Sequence, residues 1–194
     1  MFELLATYLR EKAGLTEAEI QRVEAFAIAK KLRRRQYLLQ EGDTCIYNCF
    51  IAKGLLRMYR LGKNGTEHIL RFGIENWWMA DYESYNTGNP SVRNIDALED
   101  SELLLIKKEH FDALISEIPG FQNFIKQLEY KSFDVSQNRI LSNISDTAEE
   151  RYIRFVQTYP EFNRRIPLHM IASYLGTSRE TLSRIRQKRA EPDK

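Results

Sequence analysis

The stretch richest in chemistry runs from Ser178 to Arg189, where Arg179, Glu180, Ser183, Arg184, Arg186, Lys188 and Arg189 surround the apolar Leu182 and Ile185. An arginine fork can donate twice to guanine O6 and N7, and a glutamate can accept from cytosine N4. Arg184 and Glu180 therefore carry the chemistry to read base edges. Ser178, Thr181, Arg186, Lys188 and Arg189 suit phosphate oxygens, which set register without reading sequence. Charge is distributed to match. Residues 164–194 hold six Arg and two Lys against three acids, a net +5, which leaves −3 on the remainder of a chain whose formal total is +2. A basic end on a mildly acidic body puts a nucleic-acid contact at that end, although a cationic tail can also be a plain solvated face.

Two short helices must position these side chains. Pro167 suits a helix start, and Leu168, Ile171, Ala172 and Leu175 then form its inward face. Gly176 fits the left-handed residue that ends it, and Thr177 or Ser178 can cap the next helix, which buries Leu182 and Ile185. Ala172 is small enough for two helices to cross closely. This pattern predicts a helix-turn-helix, the alternative being a purely structural helical hairpin.

The rest of the chain reads in three zones. Leu4, Leu5, Tyr8 and Leu9 recur at helical spacing, and Thr16-Glu17-Ala18-Glu19 has the form of a capping box. From about residue 27 to 106, short apolar runs alternate with Glu41-Gly42-Asp43, Lys53-Gly54 and Lys63-Asn64-Gly65 turns, predicting six to eight strands in a sandwich or roll. A short helix is expected over 107–118. After Pro119 there is no Gly or Pro between Phe121 and Asn143, which predicts a helix about 35 Å long. Phe121, Phe124, Ile125, Leu128 and Val135, and then Ile140, Leu141 and Ile144, recur as its apolar residues, and the seven-residue steps 121, 128 and 135 suggest pairing with a second chain along the Phe121–Ile144 helix. A further helix is expected from about 146 to 159.

At this point the chain resembles the Crp/Fnr family of bacterial transcription regulators. Leu175-Gly176-Thr177-Ser178-Arg179-Glu180-Thr181-Leu182-Ser183-Arg184 resembles the family's recognition segment. Tyr37 to Asp43, Ile51 to Gly54 and Asn64 to Leu70 resemble its strands and turns, so that residues 20–188 match in order. The resemblance implies an α+β chain: a cyclic-nucleotide-binding-like β-roll (jelly roll) with N-terminal helices over 1–118, a dimerisation helix over 119–144, and a helix-turn-helix domain over 145–194 lacking a full wing. It implies a homodimer on double-stranded DNA, with RNA polymerase as a further partner. It also matches Glu180, Ser183 and Arg184 to residues with which the Fnr branch reads TTGA-type half-sites, and Arg179 to a position the Crp branch uses.

The sensor region departs from the family pattern. Where cyclic-nucleotide binders carry Gly-Glu, this chain has Ala80-Asp81, and Ser91 stands at the arginine position with Arg93 two residues later. Control by cyclic nucleotides is therefore not expected, and the effector is unknown. Trp78, Asp81, Tyr82, Ser91 and Arg93 are the candidate effector pocket; the aromatic cluster Trp77, Trp78, Tyr82 and Tyr85 lines a pocket or simply packs the core. Cys45 and Cys49 are too few for a disulfide framework or a four-ligand metal site, and His68, His110 and His169 are scattered. No catalytic residue, metal or resident cofactor is expected, and the protein is read as not an enzyme. No apolar run exceeds five residues, so no membrane span is predicted, and the expected place is the cytoplasm. The competing reading is a small-molecule-binding β-roll or cupin-like protein without DNA binding.

Overall fold

The structure is a computed structural model and describes residues 1–190. Glu191, Asp193 and Lys194, and with them the expectation of a missing wing, lie outside the described residues. Two compact units divide the chain, one of residues 1–61 and 70–130, the other of residues 62–69 and 131–194.

The first unit opens with α1 (Phe2–Ala13) and α2 (Glu17–Glu24). Gly14, at φ 65°, closes α1, and Thr16 with Glu19 makes the expected capping box at the start of α2. Eight strands follow: β1 (Ile28–Leu32), β2 (Tyr37–Leu39), β3 (Tyr47–Lys53), β4 (Leu56–Leu61), β5 (Glu67–Gly73), β6 (Trp78–Met79), β7 (Asn94–Ala97) and β8 (Ser101–Lys107), with α3 (Tyr82–Thr87) between β6 and β7. They form two four-stranded sheets in the orders β1-β8-β3-β6 and β2-β7-β4-β5. This is the β-roll that the turn spacing predicts.

Strand alternation assigns two cores. Cys49, Ile51, Leu103 and Leu105 point into the roll with Leu56, Met58 and Ile95. Their neighbours Phe50, Ala52, Leu104 and Ile106 face the other way, onto Leu5, Leu9, Ile20, Phe111, Leu114 and Phe121 from the helices. The β3–β8 pair is thus covered on both faces, and its residues are apolar nearly throughout. Gly54 sits at φ 103°, and a Cβ there would lie 2.2 Å from Ser101 Oγ, so the turn between β3 and β4 requires glycine. In the second sheet, Arg57 donates to both carboxylate oxygens of Asp96 at 2.7 and 3.0 Å, a bidentate pair closed off from solvent. Both cysteines are buried free thiols, and burial pushes their pKa values up.

α4 (Lys108–Glu117) buries Phe111 and Leu114, and Pro119 then starts the long α5 (Pro119–Ser145). One part of the dimer-stripe expectation is corrected here. Phe121 (0% exposed), Phe124 and Ile125 are consumed by this unit's own core, and Leu128 packs against it. The helix-spaced apolar residues of that half are therefore not available to another chain.

The second unit contains the remainder of α5, then α6 (Ala148–Thr158), α7 (Phe162–Arg165), α8 (Leu168–Tyr174) and α9 (Arg179–Ala190). Thr147 and Glu150 form a capping box at the start of α6. Asp146 joins the end of α5 to α6: it accepts from Ser142 Oγ at 2.6 Å and from Ser145 Oγ at 2.9 Å, and pairs with Arg154. Among the described residues, no helix is long and apolar enough to cross a membrane.

Candidate nucleic-acid interface and sensor site

The helix-turn-helix forms as its sequence predicts. Pro167 precedes α8, whose Ile171 and Ala172 are buried; Gly176 takes φ 64° to turn the chain; and Ser178 Oγ accepts from the Thr181 amide at 3.1 Å to cap α9. Leu182 anchors α9 from its inner side. Since successive residues turn by 100°, Glu180, Ser183, Arg184 and Gln187 share the opposite face. Arg179, Glu180, Arg184, Gln187 and Lys188 are exposed, and Ser183 is half-buried.

The side chains of this face are poised rather than committed. Arg184 Nη2 rests 3.4 Å from Thr181 Oγ1, a weak contact on an exposed surface. Glu180 is fully exposed, and its pKa is lowered by its own backbone N–H and then by Ser178, which keeps the carboxylate ionised at the helix start. Ser178 and Thr181 are engaged with each other in the cap. Arg186 and Arg189 turn toward the inner flank, where they line a groove with Tyr152, Ile153, Val156 and Gln157 of α6. Of the residues expected to hold phosphates, Lys188 stands clearest of the body. Gln187, outward-facing by its spacing but given no role by the sequence, lies three residues after Arg184 and seven after Glu180 on the same face.

The hairpin tip belongs to this unit. Ser173 Oγ donates to the Glu67 carbonyl at 2.9 Å and accepts from the Ile69 amide at 3.0 Å, fastening α8 to the segment around Asn64-Gly65. Nothing local in the sequence marks Ser173, because its partners lie more than a hundred residues away.

The half of α5 beyond Tyr130 shows a second apolar stripe. Tyr130 is 73% exposed, Phe133 63% and Ile144 79%, with Ile140 and Leu141 also exposed. Positions 130, 133, 137, 140 and 144 alternate steps of three and four, the spacing of a coiled-coil seam with Gln137 as its polar member. Val135 falls on another flank, where it lines a cavity of about 250 Å³ with Arg139, Phe155 and Tyr174. The step of seven through 121, 128 and 135 is thus not the solvent-facing seam.

In the sensor unit, the five expected pocket residues separate into two sites. Asp81 is buried (2% exposed) and caps α3; it accepts from Ser91 Oγ at 2.6 Å and from Arg93 Nη1. Arg93 Nη2 donates to Glu83 at 2.7 Å. Partial burial works to lower the Arg93 pKa, but the hydrogen bonds it donates to Glu83 and Asp81, and their negative charges, raise it on balance. One guanidinium is therefore held between two carboxylates, and the hydroxyl beside it is already donating. Trp78 packs elsewhere, among Phe50 at 5.3 Å and Phe111 at 5.6 Å between ring centroids, and with Tyr82 it borders a separate small cavity.

Residues 29–117 match the cyclic nucleotide-binding domain family. A "Probable transcriptional activator" of Rhizobium leguminosarum bv. viciae is 22% identical over 186 residues, covering 88% of this chain and 74% of that protein. The fumarate and nitrate reduction regulatory protein of Vibrio cholerae is 26% identical over 185 residues, covering 88% and 72%. The solved structure of FixK2 from Bradyrhizobium japonicum superimposes with a TM-score of 0.71 at 18% identity, covering 84% of this chain and 83% of that one. In sequence and in fold the chain is similar to regulators of the Crp/Fnr type. It is a transcription regulator, not an enzyme, built from a cyclic-nucleotide-binding-like β-roll and a C-terminal helical domain.

Proposed function

We propose that this regulator acts in the cytoplasm as a homodimer that presents one α9 from each protomer to successive major grooves of a near-palindromic site with TTGA-like halves, about 34 Å apart. The observation that carries the reading is the outer face of α9: Glu180, Ser183 and Arg184 lie on one side while Leu182 holds the other in the core. Arg184 reads guanine and Glu180 accepts from cytosine. Arg179 and Lys188 supply cations for the backbone, with Arg186 and Arg189 at the flank. The exposed stripe Tyr130, Phe133, Ile140 and Ile144 pairs the two protomers. In function, residues 1–118 serve as the sensor, 119–144 as the pairing helix and 145–194 as the DNA-binding domain, with RNA polymerase as the partner at promoters.

The β-roll works without a cyclic nucleotide. A cyclic phosphate needs converging donors. Here Arg93 and Ser91 face carboxylates, and an incoming anion would meet Asp81 and Glu83. Selection of double-stranded oligonucleotides by the purified protein, followed by sequencing, tests the whole reading. Enrichment of an inverted repeat of TTGA-like halves is expected; an unenriched pool, or a single asymmetric half, overturns it.

A further inference from the structure

The cavity bordered by Trp78, which opens to solvent beside Tyr82, Asn86, Asp112 and Glu129, carries a property that neither its packing nor the DNA-binding reading uses. Its volume is about 80 Å³, and its wall combines Asn48 on β3, Trp78 on β6 and Tyr82 and Tyr85 on α3 with side chains of α4 and α5. Three of these residues, each at least nine-tenths buried, hold a polar atom with no hydrogen-bond partner in the protein: Asn48 Oδ1, Trp78 Nε1 and the Tyr85 hydroxyl. Leaving such atoms unpaired is costly, and native interiors rarely hold several in one place. The Asp81–Ser91–Arg93 network, by contrast, pairs its cation with the carboxylates of Asp81 and Glu83 and its hydroxyl with Asp81.

The geometry points to a binding site for a small neutral primary amide or urea-type molecule in this cavity. Trp78 Nε1 can only donate, and Asn48 Oδ1 can only accept, while the Tyr85 hydroxyl does either. A planar carbonyl with an NH₂ group complements this set: its oxygen accepts from Trp78 and its N–H groups donate to Asn48 and Tyr85. Size sets the upper limit. Benzene occupies an engineered cavity of roughly 150 Å³, so 80 Å³ suits about three or four non-hydrogen atoms. Charge selects against anions, because Asp112 and Glu129 stand in the wall and Lys108 is already paired with Asp112 at 3.0 Å. Lys108 also lies 4.6 Å from the Tyr85 ring centroid, holding that ring in place. Aromatic faces from Trp78, Tyr82 and Phe111 provide the flat walls that a planar group needs. An occupant would tie α3, α4 and the first turns of α5 together.

The site is independent of DNA recognition, so its test uses no DNA. Acetamide is the probe, titrated to 50 mM against the intact protein and followed by saturation-transfer NMR and by the thermal midpoint. Saturation of the acetamide methyl and a rise in midpoint are expected for the wild type. Trp78→Phe and Tyr85→Phe keep their rings and remove one polar atom each, and each is expected to weaken acetamide binding at least fivefold while far-UV circular dichroism stays unchanged. Absence of transfer in the wild type, or equal transfer in both variants, overturns the proposal. So does a crystal structure grown with acetamide in which only water bridges Asn48, Trp78 and Tyr85.

Discussion

Ser91 Oγ donates to the buried carboxylate of Asp81 at 2.6 Å, in the part of the β-roll where a cyclic-nucleotide binder would receive its phosphate. Arg93 completes the arrangement from the other side. A carboxylate thereby satisfies the donors that a phosphate would require.

Cyclic AMP and cyclic GMP are accordingly expected to bind no better than millimolar, with no heat in calorimetric titration and no change in thermal midpoint. Asp81→Ala leaves the Arg93 guanidinium facing only Glu83 and removes the α3 cap; it is expected to cost about 2–4 kcal/mol. Thermal melts check this. A variant as stable as the wild type would mean that the network contributes nothing to the fold.

On α9, Arg184→Ala should weaken the selected duplex by about 1–3 kcal/mol and relax one base position, with little change on random DNA. Lys188→Ala should weaken all duplexes alike and lower the slope of log K against log salt by about one. Gln187→Ala tests the further exposed residue on this face, and a change in base preference is expected. Fluorescence anisotropy across a salt series separates the three.

The two halves of α5 should respond differently to the same change. Ile144→Asp and Ile140→Asp place a carboxylate on the exposed seam, and dissociation into folded monomers is expected by analytical ultracentrifugation. Phe121→Asp buries an unpaired charge in a core position that is fully enclosed, and loss of folding is expected instead. Folded dimers of Ile144→Asp would place the pairing surface elsewhere.

Acid should loosen the helix starts. Backbone hydrogen bonds from Thr16 and Thr147 hold Glu19 and Glu150 below their ordinary value of 4.5, and the Ser142 hydroxyl holds Asp146 below 3.8. Their folded-state pKa values are depressed, so their contribution is complete above those ordinary values and is lost as pH falls through the lower folded ones. Melts between pH 7 and pH 3 should show a flat plateau and then a decline. Glu150→Gln should make that decline shallower, since glutamine keeps part of the capping box without titrating.

What the sequence determined by itself is local. The short strands between turn signals, the Asn64-Gly65 hairpin, the Thr16 cap, and the Pro167 to Leu182 helix-turn-helix depend on residues within one or two turns of each other, so their spacing was enough to place them. The tertiary structure decided what depended on partners distant along the chain. It turned Phe121, Phe124 and Ile125 inward, because the helices before the β-roll supply apolar surface that covers them, and left Tyr130, Phe133, Ile140 and Ile144 as the open stripe. It set Ser91 and Arg93 on Asp81, fastened Ser173 to Glu67 and Ile69, and gathered Asn48, Trp78 and Tyr85 around one cavity. Each of these depends on which faces meet when elements pack, and a repeat of 3.6 or 2 residues specifies a face without naming what will lie against it.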